Sequence, residues 1–450
     1  MTNEQKIDIR KYSFVKNNHY LNLFFEMWED YTDASLEFAL LIWYALIGTV
    51  SSSFYTEGNE GERPNFYIFL LGPQFDAKKS TSIGVPQKIL FRVNPDLIGA
   101  AQFTEEGFFK MLNQNKKLSE EEEKTKLFKE IPSSLIETND FFPLQPFAIF
   151  NAEFSKFLKG INHKDYQAGL GQFITEVWDN IGPQVRLLSG QKLIINPYFN
   201  IFAASTIEYF QKAVDITDIF GGLLSRFLIY VNQDPPIKPK SAYDRKNITK
   251  HKNFPIIVDF LKTIYNHKKQ TPITISPEAK KKYDEWENLG RIDNYKYTLN
   301  ELPQGQTLQV RYPVFVRKFN LINCIVRGFE TKSYDFSISE EDNQSSIDMI
   351  TFIKDKNKNL LTNAISTEKI KVPLWQKIEL TIKKSGYAGI LREKLLQNLH
   401  LESWQLDKEI LILLDNETVF LKPNYTSKKL SQAYIHKDFH NKEQQSDITI

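Results

Sequence analysis

The sequence predicts an α/β protein built on a mostly parallel central sheet, and three observations carry that expectation. Four short apolar runs, Phe66–Leu71, Pro146–Phe150, Tyr198–Ala204 and Phe227–Val231, have strand length and little alternation. Such runs suit strands covered on both faces. Helical patterns lie between them at Thr81–Phe91, Tyr166–Trp178 and Ile207–Val214, and alternating strands and helices are the signature of a parallel sheet. The first three runs are each followed by polar residues, at the strand ends where open α/β sheets bind ligands.

A chain of 450 residues exceeds one ordinary core and predicts two or three domains. Its 34 Phe and 20 Tyr predict aromatic-rich cores. A net charge of +2 excludes a polycation, so any nucleic-acid contact must come from local basic patches. The single cysteine, Cys324, excludes an internal disulfide and, with no Cys/His cluster, argues against zinc; its apolar neighbours place it in a core.

Residues 14–49 read as helical, with a small-residue end at Gly48. The apolar stretch Phe38–Gly48 has about half the length needed to cross a bilayer, so it is expected as a buried helix, with no membrane partner. The N-terminus has no uninterrupted apolar segment of the secretory kind, and a cytoplasmic location is expected. Ser51–Pro64 reads as a loop, Thr104 as a helix cap, and the charged run 113–130 as a solvated segment. After Asp234-Pro235-Pro236 a basic linker spans 237–253, followed by helices at Phe254–Asn266, Ser276–Leu289, Gln306–Arg327 and Glu340–Leu361. Helices at Trp375–Lys384, Ile390–Asn398 and Ser403–Leu414 then precede a strand pair around Glu417–Leu421, an order that resembles a winged helix. The expected division is a helical region at 1–62, a core at 63–235, a helical domain or lid at 236–365, a winged-helix-like domain at 366–425 and a flexible tail at 426–450.

The stretch LLGPQFDAKKSTSIGV, residues 70–85, has the outline of a phosphate-binding loop. In the full pattern, G-x-x-x-x-G-K-[ST], backbone N–H groups surround a phosphate, the lysine neutralises it, and the hydroxyl binds Mg²⁺. Two registers fit. Gly72 with Lys78 keeps the spacing but places Ala77 at the second glycine and Lys79 at the hydroxyl position; Lys79-Ser80-Thr81 keeps the hydroxyl with one extra residue after Gly72. The second retains Ser80 as a magnesium ligand and is preferred; an ordinary strand-to-helix turn with exposed lysines is the alternative. The second run ends in Asn151-Ala152-Glu153. Glu153 would polarise an attacking water, while Ala152 stands where a metal-binding Asp is needed; a carboxylate at a helix start is the other reading. Ser205-Thr206 ends the third run, one to sense a γ-phosphate and one to cap a helix. Arg226, in Gly221–Phe227, is placed to reach a neighbour's γ-phosphate, with Arg311 or Arg317 as a further sensor; a surface arginine is the alternative.

The segments GPQFDAKKST, FAIFNAEFSKFL, NIFAASTIEYF and GGLLSRFLIYV, in that order, together with ISPEAKKKYDEWEN, resemble a family of P-loop ATPases carried by phages, prophages and plasmids. The resemblance covers roughly residues 60–330. It implies a RecA/AAA+-like core, ATP and Mg²⁺ as cofactors, a homo-oligomeric ring, attachment to a primase or other replication protein, and a role as an ATP-driven DNA helicase or translocase in mobile-element replication. The chain departs from the family in its loop glycines and its Asp-Glu pair. Lys377, Lys383, Lys384, Arg392 and Lys394 in the winged-helix-like region would supply charge toward DNA phosphates, or form only a solvated face. A silent ATPase-derived module that binds DNA or a partner as scaffold or loader is the alternative function.

Overall fold

The computed structural model describes residues 9–56, 61–73, 78–100, 146–163, 168–179, 184–188, 191–195, 197–214, 222–232, 247–297, 311–365, 374–399, 401–416, 418–426 and 429–438. The chain divides into two compact units, Met1–Thr367 and Glu368–Ile450. The boundaries expected near 62 and 235 therefore fall inside one unit. The helix start expected at Thr104, the run 113–130 and most of the linker 237–253 lie outside the described residues.

The first unit opens with a short helix α1 (Ser13–Lys16), then α2 (His19–Tyr31) and α3 (Leu36–Val50). α2 starts where Asn18 Oδ1 accepts from the Leu21 N–H at 2.9 Å, and α3 where Ser35 caps Phe38; both are N-cap chemistry. From Phe38 onward every residue of α3 is buried, as its unbroken apolar sequence requires. Strand β1 (Phe54–Thr56) precedes β2 (Tyr67–Gly72). Helix α4 (Lys79–Val93) follows β2, then β3 (Pro146–Asn151), α5 (Phe154–His163), α6 (Ala168–Trp178), the hairpin β4 (Gln184–Leu188) and β5 (Gln191–Ile195), β6 (Tyr198–Thr206), α7 (Ile207–Ala213) and β7 (Leu228–Val231).

β3, β6, β2 and β7 form, in that order, a four-stranded sheet in which every pairing is parallel. These are the four apolar runs. Successive residues of a strand face opposite layers, and both layers here are helical. Phe69 of β2 meets Phe154 of α5 and Phe210 of α7 edge-on, and Tyr67 Oη donates to the Ile174 carbonyl of α6 at 3.1 Å. On the other face, Tyr230, in register with Leu70, packs against Phe38 of α3, and Tyr198 Oη donates to the Gly48 carbonyl; α4 lies on that side, against α3. Gly48 is required there, because a Cβ would stand 2.2 Å from the Pro64 carbonyl oxygen.

The rest of the first unit comprises α8 (Asn253–Tyr265), β8 (Thr271–Ile275), α9 (Pro277–Tyr297), α10 (Tyr312–Glu330), β9 (Ser337–Ile338) and α11 (Glu340–Ile365). β1, β8 and β9 make a small parallel sheet that the sequence reading does not contain. α10 and α11 pack as a pair, pinned by Asn320 Nδ2 donating to Asn343 Oδ1 at 2.8 Å and by Arg327 with Asp342 at 3.0 Å. Cys324, on α10, is fully buried, and burial pushes its thiol up to about 12. It is a core side chain, as expected from its neighbours.

The second unit runs α12 (Leu374–Lys384), β10 (Ile390–Leu391), α13 (Arg392–Leu399), α14 (Ser403–Asp415), β11 (Val419–Thr426) and β12 (Lys429–His436). The sheet order is β10-β12-β11, antiparallel throughout. Ile378, Ile382, Leu395, Leu406, Ile410 and Val419 are among its core. Residues 429–436, expected in a flexible tail, are instead the central strand of this sheet. A continuous buried run, Ala433 to His436, overrides the polar composition around it.

Candidate functional site

Strand order decides where a ligand site forms. The chain leaves β2 through α4, on the α3 layer, and next enters the sheet at β3, beyond β6. It leaves β6 through α7, on the opposite layer, and next enters at β7, beyond β2. β2 and β6 are neighbours in register, with Gly72 beside Thr206. Connections departing in opposite directions from adjacent strands open a crevice at their carboxyl ends. Gly72, Lys78, Lys79, Ser80, Thr81, Ser205 and Thr206 all lie at that edge.

Lys79 is the first residue of α4 and is buried to 7% exposure. Its Nζ donates to the Gly72 carbonyl at 3.0 Å and to the Pro73 carbonyl. The ammonium thus closes over the mouth of its own loop. Lys78 takes the left-handed conformation, φ +47°, at the N-cap and makes no side-chain cap hydrogen bond. That conformation is uncommon for a residue with a side chain and concentrates at functional turns. Residues 74–77, between Pro73 and Lys78, lie outside the described residues. Ser80 is exposed and Thr81 half-buried on the same first turn; the Ser82 hydroxyl is turned back to the Lys78 carbonyl at 3.0 Å. The first N–H groups of any α-helix lack intrahelical acceptors and carry the positive end of the dipole. With no side-chain cap from Lys78 at the N-cap, and with Lys79 beside them, they suit the oxygens of a phosphate group.

Ser205 is buried and accepts a hydrogen bond from the Ser155 hydroxyl of α5 at 2.6 Å. Thr206 caps α7 by accepting from the Tyr209 N–H at 3.1 Å. The pair therefore divides as the sequence predicts for the cap, and the remaining serine is engaged with α5. At the end of β3, Asn151 Oδ1 accepts from the Glu153 N–H at 2.9 Å. Glu153 itself is exposed at 67% and pairs with Lys156, whose pKa is raised by that hydrogen bond. Glu153 stands at the same edge of the sheet as Lys79, two strands away. The donor set suits a triphosphate better than a tightly held cation: Ala152 brings no carboxylate, so Mg²⁺ would rest on the Ser80 hydroxyl, phosphate oxygens and water. Asn232, which the sequence reading passes over, follows β7, is buried, and donates its N–H to the Leu71 carbonyl at 2.8 Å. The polar residue ending the fourth apolar run was its signal.

The arginines lie elsewhere. Arg226 precedes β7 and sits at the amino edge of the sheet, opposite the crevice. It is 9% exposed; Nε and Nη2 donate to Asp179 Oδ2 and Nη1 to the Gly222 carbonyl. Within its own chain the guanidinium is held by a carboxylate that follows α6. Arg317 is clamped by both Glu62 oxygens and donates to Tyr283 Oη at 2.9 Å. Arg311 lies 3.7 Å from Asp179 and over the Trp178 ring. The three arginines proposed as sensors gather together at the amino edge of the sheet.

In the second unit, Lys383 pairs with Asp438 at 2.7 Å, and Arg392 forks onto Asp407 at 2.6 and 2.8 Å. Lys377, Lys384 and Lys394 are exposed, Lys377 and Lys384 seven residues apart on one face of α12. Two of the five basic residues thus fasten the unit together, and three face solvent.

No protein-family model matches the chain, and no curated protein is significantly similar to it. Among the described residues, no helix is long and apolar enough to cross a membrane, and no cluster of three or more His, Cys, Asp or Glu side chains is arranged to hold a metal ion.

Proposed function

We propose that the chain is a nucleotide-binding P-loop protein of the RecA/AAA+ type that couples ATP to work on DNA, as a helicase- or translocase-like motor of mobile-element replication. The observation that carries the reading is Lys79 on the uncapped first turn of α4, at the crevice between β2 and β6. An ammonium, a helix N-terminus and the exposed Ser80 hydroxyl meet where such sheets receive phosphate. The strand with Glu153 and the strand with Ser205 open onto the same edge. The second unit supports the DNA part: its helices, three-stranded antiparallel sheet and terminal hairpin follow winged-helix order, and Lys377, Lys384 and Lys394 offer phosphate-directed charge.

A second reading is favoured by particular observations: Glu153 is engaged by Lys156, Ala152 brings no metal ligand, and Arg226 is locked to Asp179. On that reading nucleotide binds without turnover, and the chain is a silent ATPase-derived scaffold or loader. ATP hydrolysis with single-stranded and forked DNA separates the two. DNA-stimulated turnover lost in Lys78→Ala/Lys79→Ala marks a motor. Nucleotide binding without turnover marks the silent form, and absence of both binding and turnover refutes the nucleotide site.

A further inference from the structure

Among the described residues, the amino edge of the main sheet gathers four cationic side chains around two acids. Arg226, Arg311, Arg317 and Lys318 face two carboxylates, Asp179 and Glu62, among the described residues. Both acids are fully engaged. Glu62 takes Arg317 through both oxygens, and Asp179 takes Arg226 through two nitrogens. Lys318 is 1% exposed and, among the described residues, donates to neutral acceptors, the Arg63 carbonyl at 2.9 Å and Asn65 Oδ1 at 2.6 Å, with its ammonium 4.7 Å from the Trp178 ring centroid. Burial lowers its pKa to about 8, which leaves it a cation at neutral pH.

Arg311 is the open member. Its side chain is 33% exposed, its carboxylate contact is a distant 3.7 Å, and its guanidinium carbon lies 5.9 Å from the Trp178 ring centroid. Burial, and then the charge of Arg226, lower its pKa: it sits in a place already positive. An arginine fork presents five N–H donors in a plane that matches oxyanions. Uncompensated charge in a half-buried site is costly, and an incoming anion relieves that cost.

We propose that this amino-edge cluster is a second oxyanion site, received by Arg311 and backed by Arg226, Arg317 and Lys318, for a phosphate group carried by a nucleic-acid backbone or a nucleotide. It is separate from the Lys79 crevice and does not depend on it. The probe is pyrophosphate, at ionic strength matched with sodium chloride, read by thermal unfolding of the full chain. The background is Lys79→Ala, so that the crevice does not contribute. The midpoint is expected to rise by about 2 °C in Lys79→Ala and to stay fixed in Lys79→Ala/Arg311→Gln. No rise in the first, or an equal rise in both, overturns the proposal. Arg311 is a third exposed and is the N-cap residue of α10, where its side chain makes no cap hydrogen bond, so its glutamine variant is expected to keep the fold; an unchanged midpoint without pyrophosphate checks this. The source of the phosphate is read by titrating a labelled oligothymidylate and a fluorescent ATP analogue. The one that loses about tenfold affinity in Arg311→Gln is the ligand, and unchanged affinity for both overturns the assignment.

Discussion

The two edges of the central sheet are built from similar residue types and do different things with them. At the carboxyl edge, Lys79 donates to the Gly72 and Pro73 carbonyls, Ser80 is exposed, and Glu153 pairs with an exposed lysine. At the amino edge, Arg226 and Arg317 are fixed by carboxylates that are themselves largely shielded, at 24% and 14% exposure. An ion pair in water contributes little, whereas removing one member of a shielded pair strands the other. The contrast teaches that charge type alone does not mark a site. What marks it is whether the group's partners are ones that a ligand can replace.

The largest expected effect comes from breaking the amino edge. Asp179→Ala strands the Arg226 guanidinium and is expected to cost about 3 kcal/mol, read by urea denaturation. The same measurement on Gly48→Ala, which forces a Cβ against the Pro64 carbonyl, is expected to lose about 2 kcal/mol and tests the packing that seats the sheet on α3. Lys318 gives a pH signature. Its folded pKa, about 8, lies below the lysine's ordinary 10.5, so the native state disfavours the charged form. The resulting destabilisation is fully present below pH 8 and is relieved as pH rises from 8 toward 10.5. Measured as a difference from Lys318→Met, stability is expected to climb by about 3 kcal/mol across that window; a flat difference would mean the ammonium is better solvated than its surroundings imply.

The carboxyl edge should respond in the opposite sense. Lys79→Ala removes two hydrogen bonds to loop carbonyls and is expected to change stability by only about 1 kcal/mol, while nucleotide affinity falls by at least about a hundredfold. Glu153→Gln is the smallest effect, within about 0.5 kcal/mol in denaturation. Its consequence, if the motor reading holds, is confined to turnover.

Much of the fold was legible. Phe66–Leu71, Pro146–Phe150, Tyr198–Ala204 and Phe227–Val231 each became a strand of the sheet, because a continuous apolar run of that length has few other places to go. Helix α3 was legible for the same reason, as was Lys79 at a strand-to-helix junction. Strand order was not, since nothing local says that β6 separates β3 from β2. Nor was the hairpin of Gln184–Leu188 and Gln191–Ile195, or the sheet of β1, β8 and β9, whose strands of two to five residues carry little pattern. The partners of the arginines were not legible because they are remote in sequence: Arg226 meets Asp179 across 47 positions, and Arg317 meets Glu62 across 255. A local motif can propose a side chain, but its partner decides whether that side chain is available.

The central claim is that the first turn of α4 receives a triphosphate, and calorimetric titration of the full chain with ATP and Mg²⁺ tests it most directly. The account predicts saturable binding at one site per chain, abolished by Lys79→Ala and retained by Arg226→Lys. Binding of equal strength in Lys79→Ala, or no heat of binding in the native chain, would contradict it.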